Sequence, residues 1–530
     1  MLVSRLLRTM LWTMSLASIA VFLFLVSRRL GYPLELDYIE GVMMDHIVRL
    51  THGQPIYVAP SLDFITLAYM PGFATVSSLF ARVFGTEFWV PRLVSALAMM
   101  GNATLVFAVL RRETGNWTLA IAGSGLLLAS FGVTGGHYDV ARPDSLMLFL
   151  ALSGLTVLRF TRGARGAMLS ALILVLAFFT KQHAVWFLLA SMAYLLVNDR
   201  MRFWPFALVG VIGCLGGYAL LSAWLGPWFS YFTWDIPSHW SQISKVRIFN
   251  YLGNGLVGTF GYLTGGVLAS LALPDRVWRG PQGQWWWMGL AAIATGMMAT
   301  LDPDAFRHVL NPSVVVLVIL GPLALQHVYH QLSTGSGAAR PHQQAIVYLV
   351  LCLQFLPLAY PVRGHLPHPR GREALAALEQ RIEAMPGRVL MLYHGYYTDK
   401  AGKGTTLQQI TLDDIARSRG NRVLKHDPQL LVRMFEPLRD GPGRPTIITD
   451  VPLERSGSES RALWRSLVDG YQLVDSLGWE SAALSPVDGW HWTPRYVYRP
   501  RVRHSAPDTT TGSTGATRPN AAGVTGQSAP

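Results

Sequence analysis

Apolar stretches of about 17 to 25 residues recur along this chain about eleven times, each long enough for a helix to cross roughly 30 Å of hydrocarbon. They fall at about 9–27, 89–110, 117–134, 144–160, 166–180, 184–197, 203–225, 251–273, 285–300, 309–328 and 344–361. Inside lipid, every backbone polar group must find a partner within the protein, so stretches of this kind fold as helices. Composition agrees. Of 530 residues, 51% are hydrophobic and 14% charged, against about a quarter charged in a soluble domain. The expectation is a polytopic α-helical membrane protein of about eleven spans.

The net charge of +13 does not point to nucleic acid, because the arginines sit in short clusters between apolar runs. Arg111 and Arg112, then Arg159, Arg162 and Arg165, then Arg200 and Arg202, then Arg276 and Arg279, and finally Arg340 all fall in alternate turns. Cytoplasmic loops carry such an excess of Lys and Arg, so the N-terminus is expected inside. Met1 to Arg8 followed by Leu11 to Val26 resembles a signal peptide but lacks an Ala-x-Ala-like cleavage site, so it is expected to stay as the first span. Cys214 and Cys352 each lie inside an apolar run, which leaves neither a disulfide framework nor a Cys-type zinc site.

Phe64 to Phe84 is apolar enough to span, but counting it as a crossing inverts every later loop and puts the arginines outside. Tyr69, Met70, Pro71 and Gly72 also break its middle. It is expected to be re-entrant or interfacial, within a large first outer loop covering 28–88. The membrane unit is expected over 1–362. Hydropathy then collapses, and residues 363–503 alternate polar helical stretches with short strand-like runs such as Arg388 to Tyr393 and Thr446 to Val451, which reads as a small α/β domain. An odd number of spans places it on the extracytoplasmic side. Residues 504–530 are rich in Ser, Thr, Gly, Ala and Pro and are expected to be disordered.

Ionisable groups near lipid are costly, so their placement at helix ends is informative. They gather on the outer face. Leu34-Glu-Leu-Asp-Tyr-Ile-Glu-Gly41 carries Asp37 and Glu40, which share a face if the stretch is helical. Gly136-His-Tyr-Asp-Val-Ala-Arg-Pro-Asp-Ser145 carries His137, Asp139, Arg142 and Asp144; a helix-capping role is the alternative for Asp144. Phe178-Phe-Thr-Lys-Gln-His-Ala184 holds Lys181 alone between apolar runs, where a snorkelling lysine is the plainer reading. Asp302-Pro-Asp-Ala-Phe-Arg-His-Val-Leu-Asn-Pro312 holds Arg307 and His308. Cations arriving from separated loops suit a polyanion such as a phosphate. Tyr231 to Trp234 with His239 and Trp240 reads as an interfacial aromatic belt or, alternatively, as the lining of a lipid or glycan groove. Ala401-Gly-Lys-Gly-Thr-Thr406 has the wrong glycine spacing for a phosphate loop.

In this order, at these helix ends, the residues resemble the GT-C superfamily of membrane glycosyltransferases, particularly the bacterial family 39 and RgtA-like branch. That branch is related to protein mannosyltransferases and the lipid A aminoarabinose transferase. The carriers are the acidic first loop around Asp37 and Glu40, Thr66-Leu-Ala-Tyr-Met-Pro-Gly-Phe73, Ala141-Arg-Pro-Asp144, Phe179-Thr-Lys-Gln182 and Arg307-His-Val-Leu-Asn-Pro312. The resemblance covers about residues 5–330. It implies inverting transfer of a hexose or pentose from a polyprenyl-phosphate donor to a lipid, polysaccharide or protein acceptor, outside the bacterial cytoplasmic (inner) membrane. Asp37 would act as general base or assist a divalent metal, with Glu40 as helper. Lys181, Arg307 and His308 would hold the donor phosphate, and Tyr69, His137, Asp139, Arg142 and Asp144 would complete the site. The sequence departs from the family where Tyr38 follows Asp37, where Met-Pro-Gly replaces Pro-Pro-Leu and where Gln182 follows Lys181. A transporter or flippase of lipid-linked saccharides is the alternative, but it calls for polar breaks near mid-membrane on several helices, whereas here the charges lie at outer ends. A non-catalytic scaffold is a third reading, disfavoured by Asp37, Lys181 and Arg307.

Overall fold

The computed structural model describes residues 2–240, 242–273, 276–333, 340–418, 425, 427–440 and 443–501. The tail expected at 504–530 lies outside the described residues, as do the side chains of Trp240 and Arg340.

The chain is a helical bundle with a small sheet near its C-terminus. After α1 (Leu2–Arg29) come two short helices, α2 (Glu40–Thr51) and α3 (Gly72–Phe84). The bundle continues with α4 (Trp89–Thr114), α5 (Trp117–Ala129), α6 (Asp144–Phe160), α7 (Gly163–Thr180) and α8 (Val185–Asn198). α9 (Arg200–Val211) runs through a π-helical turn into α10 (Gly217–Leu225). The remaining long helices are Phe260–Leu271, Gly283–Ala299, Asn311–Ser333 and Arg340–Gln354. Apart from α2 and α3, and with α9 and α10 taken together, each helix named here falls on one of the apolar runs. Among the described residues, five helices are individually long and apolar enough to cross a membrane, by length and composition, and shorter ones such as α5 are extended by turns. Beyond Ala129, Ser130 and Thr134 bond their hydroxyls to Leu127 and Ser130 carbonyls, at 2.6 and 2.9 Å.

Small residues let the helices approach. A Cβ on Gly125 of α5 would stand 2.5 Å from Ser15 of α1. Leu16, Leu23, Phe24, Leu172, Leu176, Leu208, Leu215 and Trp224 stay exposed around the bundle, an arrangement that is stable only where the surrounding solvent is lipid. This is a multi-pass membrane protein.

The bundle has two distinct ends. At one, Arg159 pairs with Glu113 at 2.6 Å, Trp285 donates to Glu113 at 3.1 Å and the Gly280 amide donates to Asn198 at 3.1 Å. At the other, the turns after α1, α5 and α7 meet the turn before Arg307. α3 begins and ends at this second end. Its start packs so tightly on α7 that a Cβ on Gly72 would lie 2.6 Å from the Phe179 carbonyl, and it stops at Gly85, whose φ of +91° suits glycine. One face buries Phe73, Ala74, Ser77 and Ala81, while Leu79, Phe80, Val83 and Phe84 remain exposed.

The sheet covers the same end. β1 (Val389–Met391) pairs in parallel with β2 (Thr446–Thr449), β4 (Tyr496–Pro500) runs antiparallel to β2, and β3 (Tyr471–Ser476) closes the order β1-β2-β4-β3. Leu375, Leu378 and Ile382 of the helix Gly371–Glu383 share one core with Tyr32, Leu36 and Met43 of the first loop. The C-terminal unit is thus packed onto the segment that carries Asp37. Tyr231 and Phe232 are buried against that loop's Ile56, Tyr57 and Phe64 rather than standing in a belt; Trp234 remains 70% exposed.

Candidate functional site

Asp37 lies in the non-helical stretch between α1 and α2, and two structural ion pairs fix that stretch. Glu40 and Arg92, both fully buried, form a bidentate pair at 2.6 and 2.9 Å. Glu40 also accepts from the Leu36 amide at 2.7 Å and the Ala141 amide at 2.8 Å, while Arg92 donates to the Tyr32 and Leu34 carbonyls at 2.6 Å each. Upstream, Arg29 binds both oxygens of Asp139, at 2.8 and 3.0 Å, and Asp488 at 2.6 Å. His365 holds the other oxygen of Asp488 at 2.6 Å.

Glu40 and Asp139 are thus both paired with buried guanidinium groups. Both Glu40 oxygens are occupied by a guanidinium and amides, so it has no lone pair directed at a substrate; it shapes the loop. Asp139 is likewise committed to Arg29 and ties α1 to the turn before α6.

Asp37 itself, fully buried, meets Arg142 through Oδ2 at 2.8 Å and His137 through Oδ1 at 3.5 Å. Burial opposes its ionisation, but Arg142 and His137 together outweigh burial and hold its carboxyl below the usual range. Arg142 continues to Asp144 at 3.7 Å, to His308 at 3.4 Å and to the Tyr69 hydroxyl at 3.5 Å. Asp144 binds Lys181 at 2.7 Å, and the Lys181 ammonium stands 5.5 Å from the centre of the Tyr69 ring. Asp144 is not a cap: Pro143 holds the cap position and no side-chain cap bond forms, although a carboxylate in the first turn suits the helix dipole. Lys181 is not snorkelling either, because it is 4% exposed and sits where extended backbone ends α7.

Seven of the ten expected site residues, Asp37, Tyr69, His137, Arg142, Asp144, Lys181 and His308, are therefore joined in one network at one end of the bundle. Arg307 is separated from it. In the 3₁₀ turn Arg307–Leu310, adjacent side chains point about 120° apart. His308 turns inward to a small pocket shared with Tyr69, Lys181 and Asp302. Arg307 is exposed and lines a different cavity of about 480 Å³ with Arg247, Asn250 and Asn254.

Polar atoms without hydrogen-bond partners concentrate here: Asp37 Oδ1, both ring nitrogens of His137, Arg142 Nε, Asp144 Oδ2 and His308 Nδ1. Such atoms are available to hydrogen-bond a substrate or ordered water. No cluster of three or more metal-ligating side chains occurs among the described residues, and Asp37 faces a guanidinium. Sequence reasoning missed Tyr38 and Asp302 at the edge of the site and the clamps Arg29, Arg92 and Asp488. It also missed the buried bridge in which His394 joins Glu35 and Asp450, the latter at 3.2 Å.

This arrangement, a helical bundle with a buried acidic first loop and a sheet packed over one end, is a fold shared with solved structures. Residues 70–234 match the family model for dolichyl-phosphate-mannose-protein mannosyltransferase. The structure is similar to that of ArnT from Cupriavidus metallidurans in the apo state, with a TM-score of 0.56 and 14% identity over 91% of this chain and 97% of that one. ArnT bound to undecaprenyl phosphate gives 0.55 at 14% identity, with the same coverage. The archaeal oligosaccharyltransferase AglB from Archaeoglobus fulgidus, solved with an inhibitory peptide and a dolichol-phosphate, gives 0.51 at 10% identity over 94% and 75%. A search of curated protein sequences finds no match.

Proposed function

We propose that this protein is a glycosyltransferase that moves a sugar from a polyprenyl-phosphate donor to an acceptor in the cell envelope. The observation that carries the reading is the continuous chain of contacts Asp37–Arg142–Asp144–Lys181 at the mouth of an apolar bundle. The solved ArnT and AglB structures with undecaprenyl phosphate and dolichol-phosphate support a lipid-phosphate donor.

In the reaction, the acceptor hydroxyl oxygen attacks the anomeric carbon as the bond to the phosphate oxygen breaks, its electron pair leaving on the phosphate. The hydroxyl proton passes to Asp37. A carboxylate with a lowered pKa is a weak base, so it takes that proton late, once bond cleavage has made the attacking hydroxyl acidic. Charge growing on the leaving phosphate is met by Lys181 and Arg142, with His308 beside them, in a site already dehydrated and oriented. Inversion of the anomeric centre requires the acceptor hydroxyl and the leaving phosphate to stand on opposite faces of the sugar ring.

The arginine-bearing turns at the opposite end support a cytoplasmic position for that end and an extracytoplasmic position for the site and residues 363–503, in a bacterial inner membrane. Residues 1–362 then form the membrane unit. A transfer assay on purified protein with a panel of polyprenyl-phosphate sugars tests the reading. Transfer from at least one is expected; transfer from none, with no binding of undecaprenyl phosphate, contradicts it.

A further inference from the structure

A further cavity, of about 420 Å³, opens between the first loop and the C-terminal unit, and its lining includes Tyr38, Gln408, Arg455, Arg461, Trp490 and Trp492. Tyr38 directly follows Asp37, and Gly489, beside the lining residue Trp490, packs against the Asp37 carboxylate. Its aromatic residues form a platform. Tyr393 and Trp492 stack at 4.7 Å with planes 26° apart, and Trp490 continues 6.4 Å from Trp492 at 32°. Trp490 keeps 45% of its surface exposed.

The polar lining is equally specific. Gln408, 3% exposed, donates to Asp45 at 3.0 Å, yet its Oε1 has no hydrogen-bond partner among the described residues. The two carboxylates are committed: Asp413 accepts from the Ser458, Glu459 and Ser460 amides at 2.9–3.1 Å, and Asp304 pairs with Arg417 at 2.7 Å. Arg455 makes no ion pair or side-chain hydrogen bond among the described residues, and Arg461 makes one, to the Gly457 carbonyl at 3.2 Å. The uncommitted charge is therefore positive. Flat aromatic faces take the C–H face of a sugar ring, an amide oxygen takes a hydroxyl, and guanidinium groups take a carboxylate or phosphate.

We propose that this cavity binds the acceptor, and that the acceptor is a saccharide carrying an anionic substituent. Its ring stacks on Trp490 and Trp492, its anion meets Arg455 and Arg461, and a hydroxyl reaches past Tyr38 to Asp37. The assignment rests on the glycosyl-transfer reading above and narrows it to saccharide acceptors.

Saturation-transfer NMR on the full-length protein in lipid nanodiscs tests it, with tetragalacturonate, a phosphorylated hexose disaccharide, neutral maltotetraose and an acidic tetrapeptide as probes. At least one anionic saccharide is expected to bind through its ring protons, maltotetraose to bind at least about tenfold more weakly, and the peptide not to compete. Trp490→Ala and Arg455→Gln, both at accessible positions, are each expected to weaken binding about tenfold with unchanged melting temperature. Binding of no saccharide, undiminished binding by both variants, or preference for the peptide overturns the proposal. Equal binding of maltotetraose overturns its anionic part. Undecaprenyl phosphate binding is measured in parallel on the wild-type protein; its absence counts against the donor reading alone.

Discussion

Gly489 presses its backbone against the Asp37 carboxylate: a Cβ at that position would stand 2.5 Å from Oδ1. Its φ of +75° is also one that only glycine adopts without strain. Neighbouring Asp488 donates its amide to the Leu36 carbonyl at 2.8 Å and pairs with Arg29, so the C-terminal unit sets the position of a first-loop carboxylate. Gly489→Ala is expected to displace Asp37 and lower transfer by about 10²-fold, the usual effect of misplacing a reacting group by about 1 Å. Steady-state kinetics of the purified variant check this.

Glu40 and Arg92 act through structure. Removing one partner of a buried pair leaves an uncompensated charge, at a cost of about 3–5 kcal/mol. Arg92→Met is expected to lower the melting temperature and yield of folded protein. A fully stable but inactive variant would give the pair a direct chemical role instead.

Lys181 and Arg307 are expected to separate in donor affinity. A charge-assisted bond to phosphate contributes about 1.5–3 kcal/mol, so Lys181→Ala should weaken undecaprenyl phosphate binding by about 10- to 100-fold. Arg307→Ala, in the other cavity, should leave it nearly unchanged. Binding isotherms of the two variants check the order.

His394 gives the contact between first loop and C-terminal unit a pH dependence. Burial opposes its protonation, but Glu35 and Asp450 outweigh burial and push its pKa up to about 10. A group whose folded pKa lies above its ordinary value of about 6.5 contributes fully below that value. The contribution is lost as pH rises through about 10. Melting temperature is therefore expected to fall between about pH 6.5 and 10 in the wild type, and His394→Gln is expected to be less stable and lack that part of the slope.

Much of this was legible in one dimension. Run length and charge placement gave the spans, because lipid imposes a length on helices that no other solvent does. Asp37, Arg142, Asp144 and Lys181 stood out because each lies where an apolar run ends on the same side. Glu40 and Asp139 carry that same local signature, and what distinguishes them is their partners. Arg92 and Arg29 look like ordinary charges flanking a span until the fold brings them within 3 Å of the carboxylates. Arg307 and His308 are adjacent in sequence, and only the turn between them decides which faces the site. The Trp490 platform had no periodicity to announce it, since it lies in a loop whose neighbours come from Tyr393 and Gln408.

The central claim is that Asp37 takes the acceptor proton while Lys181 and Arg142 hold the phosphate. Its most direct test is transfer by Asp37→Asn, with undecaprenyl phosphate binding measured on the same preparation. The account predicts donor binding within a few-fold of wild type and a turnover reduced by about 10²- to 10⁴-fold, the range for loss of a general base. Turnover within a few-fold of wild type would contradict it.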